Sequence, residues 1–422
     1  MTCSSSSAAD RNDVRDPGQP PASILWRNRD YLLLWGGQVV STVGAKVTTL
    51  AFPLLVLAQT GSPAKAGLVG FAQTLPFLVW YLPAGALVDR WDRRQVMLVA
   101  DGGRAVALSS VAFALWSGLL TFAQVLAVAL VEGTLFVFFQ LSEAAALPRV
   151  VPRAQLPTAL AQYQAREHGA ELAGQPLGGL LFGVGQALPF AFDAVSYVVS
   201  FVALLFVRPA LQDEREGTGT RLKAEIAEGV RWLWHQPFLR ALVALIGVTN
   251  LVFNALTIAM IVRLQQLGAS PALIGLMFGL YGVGSVLGAV CAPALQRRLP
   301  PALVIIGSLW GWAAVFAVLT LPSDPVSFGA LAACTGLTGP LFNVVVSSYR
   351  YALVPDRLQA RTQAVGRLVA WGAIPLGTLA GGILVQGVGS RVAIPVLAAA
   401  MIAVALAATL IPTLRAAPAL PS

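Results

Sequence analysis

"GALVDRWDRRQVML", residues 85–98, sets five charged side chains, Asp89, Arg90, Asp92, Arg93 and Arg94, into six positions. On each side the chain is apolar for roughly 20 residues, the length of helix that crosses a hydrocarbon layer about 30 Å thick. So short a charged hinge between two such segments reads as the turn between consecutive membrane crossings. Working outward, the pattern recurs near 30–58, 64–88, 94–116, 120–142, 157–184 and 188–207, then near 238–265, 271–294, 301–321, 326–349, 358–385 and 391–412. Of 422 residues 57% are apolar and 11% charged, against about 25% charged in soluble domains. Backbone groups in lipid must be satisfied within the segment, so each run is a helix. The short alternating segments of a membrane barrel are missing. The expected fold is an all-α polytopic membrane protein with twelve transmembrane helices.

Twelve crossings put both termini on one face. Lys and Arg outside the segments crowd onto that face, and only Lys65, Arg263 and Arg391 fall toward the other. The positive-inside rule makes the crowded face cytoplasmic, in an inner or plasma membrane. The formal charge of +9 is therefore topology, and nucleic acid is not an expected partner. Residues 1–22 are polar and Pro/Ser-rich, the composition of a disordered cytoplasmic tail, and they lack the apolar core of a signal peptide. Cys3, Cys291 and Cys334 make no disulfide framework.

The longest polar break, 208–236, reads as a cytoplasmic linker with an amphipathic helix near Leu222–Trp234. It divides the chain into six-helix bundles at 23–207 and 237–412, followed by a cytoplasmic tail at 413–422. Pro152, Gly174, Gly178 and Gly179 in the first half match Pro355, Gly377, Gly381 and Gly382 in the second, each pair separated by 203 residues. The bundles are thus expected to be pseudo-symmetric, as in transporters whose sites lie between repeats near the bilayer midplane. Gly174/Gly178 and Gly377/Gly381, at spacing four, suit close helix packing.

The hinge has the form G-x-L-x-D-R-x-x-R-R, and its place after the second segment resembles the signature loop of the major facilitator superfamily. "WGGQVVSTVG", "VADGGRA", "FAFDAVSYVVSF" and "YRYALVPDRLQARTQAVGRLVAWGAIPLGTLAGG" are similar to its drug, macrolide and siderophore exporter branch. The resemblance covers nearly the whole chain. It implies a gate on the cytoplasmic side formed by Gly85, Asp89, Arg90, Arg93 and Arg94. Asp89 would meet the eleventh segment's start at about Asp356–Leu358, where a helix carries roughly half a positive charge, and the arginines would pair with carboxylates such as Glu143. The sequence departs from the superfamily pattern twice. Gly174-Gln175-Pro176 replaces a Gly-Pro pair in the fifth segment, and Glu132 stands in the fourth where an arginine is usual.

Charges at a helix centre cost about 2.5–3.5 kcal/mol on insertion scales, so they tend to be functional or paired. Arg166 and Glu132 lie at similar depths, about 14–15 Å in at ~1.5 Å per residue, and an ion pair between them is expected. Glu167 and Glu171 share one face of the fifth segment. Counting Glu132, Glu167 and Glu171 against Arg166 leaves two negatives, with Lys46, Arg104 or Arg367 as possible partners. The expected proton-coupling set is Glu132, Arg166, Glu167, Glu171 and Asp193, with Asp193 near the outer end of the sixth segment and within reach of water. Lys46, Phe77, Tyr281, Asn343 and Arg367 are candidates for the substrate cavity.

The expected function is secondary export of a hydrophobic or amphiphilic small molecule by proton antiport and alternating access, as a monomer. Uptake, or transport of a lysophospholipid or other lipid, stays open on the same fold. No Lys follows Gly, so there is no GK[ST] phosphate loop, and two histidines cannot form H-E-x-x-H. Enzyme activity, a metal site and a cofactor are not expected.

Overall fold

The computed structural model describes residues 25–208, 211, 222–321 and 324–415. The tail expected at 1–22, most of the polar run at 209–221 and the last residues of the C-terminal tail lie outside them. Helix starts follow from local chemistry. Asn28 accepts the Tyr31 amide at 3.1 Å and opens α1, Arg29–Thr60. Ser62 with Pro63 opens α2, Pro63–Val88. Within the hinge, Asp92 accepts the Gln95 amide at 3.0 Å and starts α3, Arg93–Trp116. Thr121 does the same for α4, Phe122–Val150. Each side-chain oxygen satisfies an amide that the first helical turn leaves without a partner. Gly61 ends α1 at φ 62°, a left-handed turn that side chains resist.

The other elements are α5 (Leu156–Val184), α6 (Leu188–Leu205), α7 (Leu222–Trp234), α8 (Pro237–Gln266), α9 (Pro271–Arg298), α10 (Pro301–Val318), α11 (Pro325–Leu353), α12 (Asp356–Val388), α13 (Ser390–Leu410) and α14 (Pro412–Arg415), with two short 3-10 turns. α4 runs to Val150, beyond the expected end near 142, because "EAAAL" at 143–147 is built of strong helix formers. Glu143 consequently sits inside a helix rather than in a loop.

Among the described residues, eleven helices are long and apolar enough to cross a membrane. α5 falls outside that set because Arg166, Glu167 and Glu171 dilute it, yet its 29 residues reach about 43 Å at ~1.5 Å each, enough to cross. It packs between α1 and α9 alongside the others, the twelfth long helix of the bundle.

Packing repeats between halves. α1 rests on α5 and α6, α3 on α4 and α6, and α2 on α4; the second half repeats this with α8 on α12 and α13, α10 on α11 and α13, and α9 on α11. The halves meet along two further seams, α2 with α12 and α5 with α9. Repeated glycines make both kinds of contact possible. A Cβ at Gly178 would press on the Val47 carbonyl of α1, and one at Gly381 on Ala255 of α8. Their neighbours face the other half: a Cβ at Gly179 would meet Gly275 of α9 at 2.9 Å, and one at Gly382 would meet Gly67 of α2 at 2.8 Å. These seams close on the face away from the termini, where α5 and α12 end and α2 and α9 begin. At the other end α7 packs on α12, with Glu228 paired to Arg361.

Candidate functional site

Two adjoining compartments lie within the bundle. The first, about 190 Å³, is walled by α1 to α5; the second, about 400 Å³, is walled mostly by α8 to α11. Thr49 lines both. Lys46 lines the first and Glu171 the second, and their charged ends stand 3.8 Å apart, each 28% exposed. A half-solvated salt bridge therefore sits at the junction.

The second compartment is aromatic and weakly polar. Phe253 meets Trp312 edge-on at 5.2 Å, and Trp312 meets Phe342 at 5.3 Å. Asn250, Asn254, Thr257 and Asn343 supply amide and hydroxyl groups, and α8 to α11 add no Asp, Glu, Lys or Arg to its lining. Tyr281 and Asn343 line this compartment, and Phe77 and Lys46 line the first. Arg367 lines neither. Its guanidinium donates to the Tyr81 hydroxyl at 2.6 Å across the α2–α12 seam, over the Trp371 ring, so it belongs to the contact between halves.

The first compartment holds the charges, in pairings that differ from the expected ones. Glu132 does not meet Arg166. Arg104, one helix away on α3, donates to Glu132 at 2.7 Å, with Gln73 at 3.1 Å and the Tyr197 hydroxyl at 3.4 Å adding to the carboxylate. Gly133 lets α4 press onto the Gln73 backbone, where any Cβ would overlap the carbonyl, and this brings Gln73 within reach. Arg104 also lies 3.9 Å over the Tyr197 ring. Arg166 instead forms a two-bond pair with Glu143, at 2.6 and 3.1 Å, with Glu167 at 3.6 Å and the Tyr163 ring at 4.5 Å. Depth alone had suggested Glu132 for Arg166; the longer α4 supplies Glu143 at the right height.

Asp193 is also placed differently from the water-accessible position expected. It is fully buried, accepting Thr48 at 2.6 Å and Ser196 at 2.9 Å, and Gly44 of α1 leaves the space its carboxylate occupies. Asp101, also buried, accepts Ser200 at 2.6 Å, and Ser200 in turn accepts Gln38 at 2.7 Å. Glu167 and Glu171 keep side chains 33% and 28% exposed. Sequence reasoning offered Arg104 only as one possible partner for the surplus acids and Glu143 only for the hinge arginines, and it left Asp101 out of the site, although "VADGGRA" displays Asp101 and Arg104 at spacing three.

At the hinge, Arg93 and Arg94 do not meet Glu143. Arg93 donates to the Ala145 and Leu211 carbonyls at 3.0 and 3.1 Å and lies 3.8 Å from Asp89. Arg94 donates to Leu204 and Leu205, the last carbonyls of α6, where a cation is favoured. Arg90 is exposed, and a Cβ at Gly85 would meet open space. The seat expected for Asp89, at Asp356–Leu358, includes side chains outside the described residues.

The family model described as transmembrane secretion effector matches residues 24–420. The multidrug efflux pump Tap of Mycolicibacterium fortuitum is 26% identical, covering 91% of this chain and 96% of its own. Macrolide efflux protein A of Streptococcus pyogenes is 22% identical over 86% and 91%. Among solved structures, the nucleoside transporter NupG superposes with a TM-score of 0.73 at 13% identity, covering 90% and 98%, a likeness of fold.

Proposed function

We propose that this chain, which belongs to the transmembrane secretion effector family of the major facilitator superfamily and is a membrane transporter rather than an enzyme, exports bulky amphiphilic drugs in exchange for protons. The relatives' efflux of multiple drugs and macrolides supports the substrate class. So does the wall of amides and aromatic rings that α8 to α11 give the second compartment, which suits a large ring carrying carbonyl and hydroxyl groups.

The observation that carries the exchange is the Lys46–Glu171 bridge between compartments. A cationic or hydroxyl-bearing substrate in the second compartment competes with Lys46 for Glu171, and so does a proton. Binding of one therefore disfavours the other, which is the condition for antiport. Glu167, on the same helix and open to the first compartment, is the second exchangeable acid of this face. Alternating access follows from hinging at the two seams, α2–α12 and α5–α9, whose glycine contacts close one face. Both termini lie in the cytoplasm in this reading, in the plasma membrane, and one copy of the chain suffices.

The test is accumulation of ethidium and of radiolabelled erythromycin in proteoliposomes with and without an imposed pH gradient. Gradient-driven accumulation that is lost in Glu171→Gln, with the ethidium binding that remains in that variant no longer dependent on pH, supports the reading. Accumulation indifferent to the gradient refutes the exchange.

A further inference from the structure

Six ionisable side chains of the first half are withdrawn from water: Asp101 at 0% exposure, Arg104 at 2%, Glu132 at 4%, Glu143 at 6%, Arg166 at 6% and Asp193 at 0%. Four acids face two arginines. Glu143 takes Arg166 and Glu132 takes Arg104. Among the described residues Asp101 and Asp193 form no salt bridge, so the acids in surplus are these two and not Glu167 and Glu171. A buried, uncompensated carboxylate is far costlier than a neutral carboxyl.

Geometry separates the two. Both oxygens of Asp193 accept a hydroxyl, from Thr48 and Ser196. Asp101 has Ser200 on Oδ2 only, and its Oδ1 is buried with no partner. Arg104, three residues on and hence on the same face of α3, has a buried Nε with no partner. An unmet acceptor and an unmet donor thus stand together on one helix.

We propose that Asp101 carries a proton in the transport cycle and that Arg104 switches between it and Glu132. The proposal rests on the exchange reading above and adds a second, buried proton site to it. In the arrangement seen, Asp101 is a carboxylic acid and Arg104 pairs with the Glu132 carboxylate. In the alternative, the O–H bond at Asp101 breaks, the proton comes to rest on a Glu132 oxygen, and Arg104 pairs with the Asp101 carboxylate. The net charge of the cluster is the same in both. Glu132 lines the first compartment while Asp101 does not, so the proton enters and leaves the pair on the Glu132 side.

The charged groups acting on Asp101 are Arg104 from α3 and Glu143 from α4; those acting on Asp193 are Arg104 and Glu132. Tyr197 of α6 faces Arg104 and Glu132, and α1 presents the uncharged Gln38 and Thr48. No further charge is needed to run the switch.

Infrared difference spectroscopy on the purified full-length protein reads the proton directly, because a carboxylic acid C=O stretch is distinct from a carboxylate band. The expected result is a deuterium-sensitive carboxylic acid band that is lost in Asp101→Asn and kept in Asp193→Asn and Asp101→Glu. Asp101→Asn also loses gradient-driven ethidium accumulation at least tenfold while keeping ethidium exchange across vesicles at equal pH, which shows that it is folded. A band that survives in Asp101→Asn, or gradient-driven accumulation that survives there, overturns the proposal. Should wild type fail to couple to a pH gradient yet lose its band in Asp101→Asn, antiport fails and the protonation of Asp101 stands.

Discussion

Replacing Glu143 by leucine leaves the Arg166 guanidinium, whose side chain is 3% exposed, without its two-bond partner. Breaking a buried pair from one side costs about 3–5 kcal/mol. Glu167 at 3.6 Å and the Tyr163 ring at 4.5 Å remain and absorb part of the charge, which puts the expected loss near the lower end, about 3 kcal/mol. Replacing both partners, Glu143→Leu with Arg166→Met, removes the stranded charge and recovers most of that loss, because a buried pair is often no better than its apolar replacement. Denaturant unfolding in mixed micelles, followed by tryptophan fluorescence, measures all three variants. The control is Lys46→Met, which breaks a half-exposed bridge at 3.8 Å and should cost no more than about 1 kcal/mol while abolishing gradient-driven transport. If Glu143→Leu is as stable as wild type, or if the double variant is no better than the single, the Glu143–Arg166 pair does not anchor the fold.

At the seams, Gly382→Leu or Gly179→Leu inserts a side chain where even a Cβ would sit 2.8–2.9 Å from a facing Cα. The face away from the termini should then stay open, seen as faster labelling of a cysteine at Thr49 from that side in a background without Cys3, Cys291 and Cys334. Asn343→Leu removes an amide from the second compartment and should weaken erythromycin binding by about tenfold, the ~1.4 kcal/mol of a lost hydrogen bond, with the stability of the protein unchanged. Asp324 caps α11, and the hydrogen bonds it receives from Ser327 hold its carboxyl below the ordinary value. A depressed carboxyl stabilises the fold above the unfolded pKa, near 3.9, and loses that contribution as pH falls through the folded one. The melting difference between wild type and Asp324→Ala should therefore be present at pH 7 and vanish in strong acid.

Patterns that depend on neighbours along the chain were legible without coordinates: the apolar periods, the repeat of Pro152 to Gly179 at Pro355 to Gly382, and the hinge that turns α2 into α3. Hydropathy and repeat spacing are local quantities, and twelve helices in two related halves follow from them. Depth along a helix is local too, so Glu132 and Arg166 could be placed at one height. Which of them touch is decided by rotation about each helix axis and by which helices adjoin. Gly133 brings α4 onto α2, α3 presents Arg104 to Glu132, and the last turns of α4 carry Glu143 to Arg166. The same rotation buries Asp101 and Asp193 and leaves Glu167 and Glu171 partly exposed, reversing the acids that charge counting over the fourth and fifth segments leaves unpaired. Electrostatic pairing acts across space over a few ångströms, and only the tertiary packing of α1, α3, α4, α5 and α6 sets those distances.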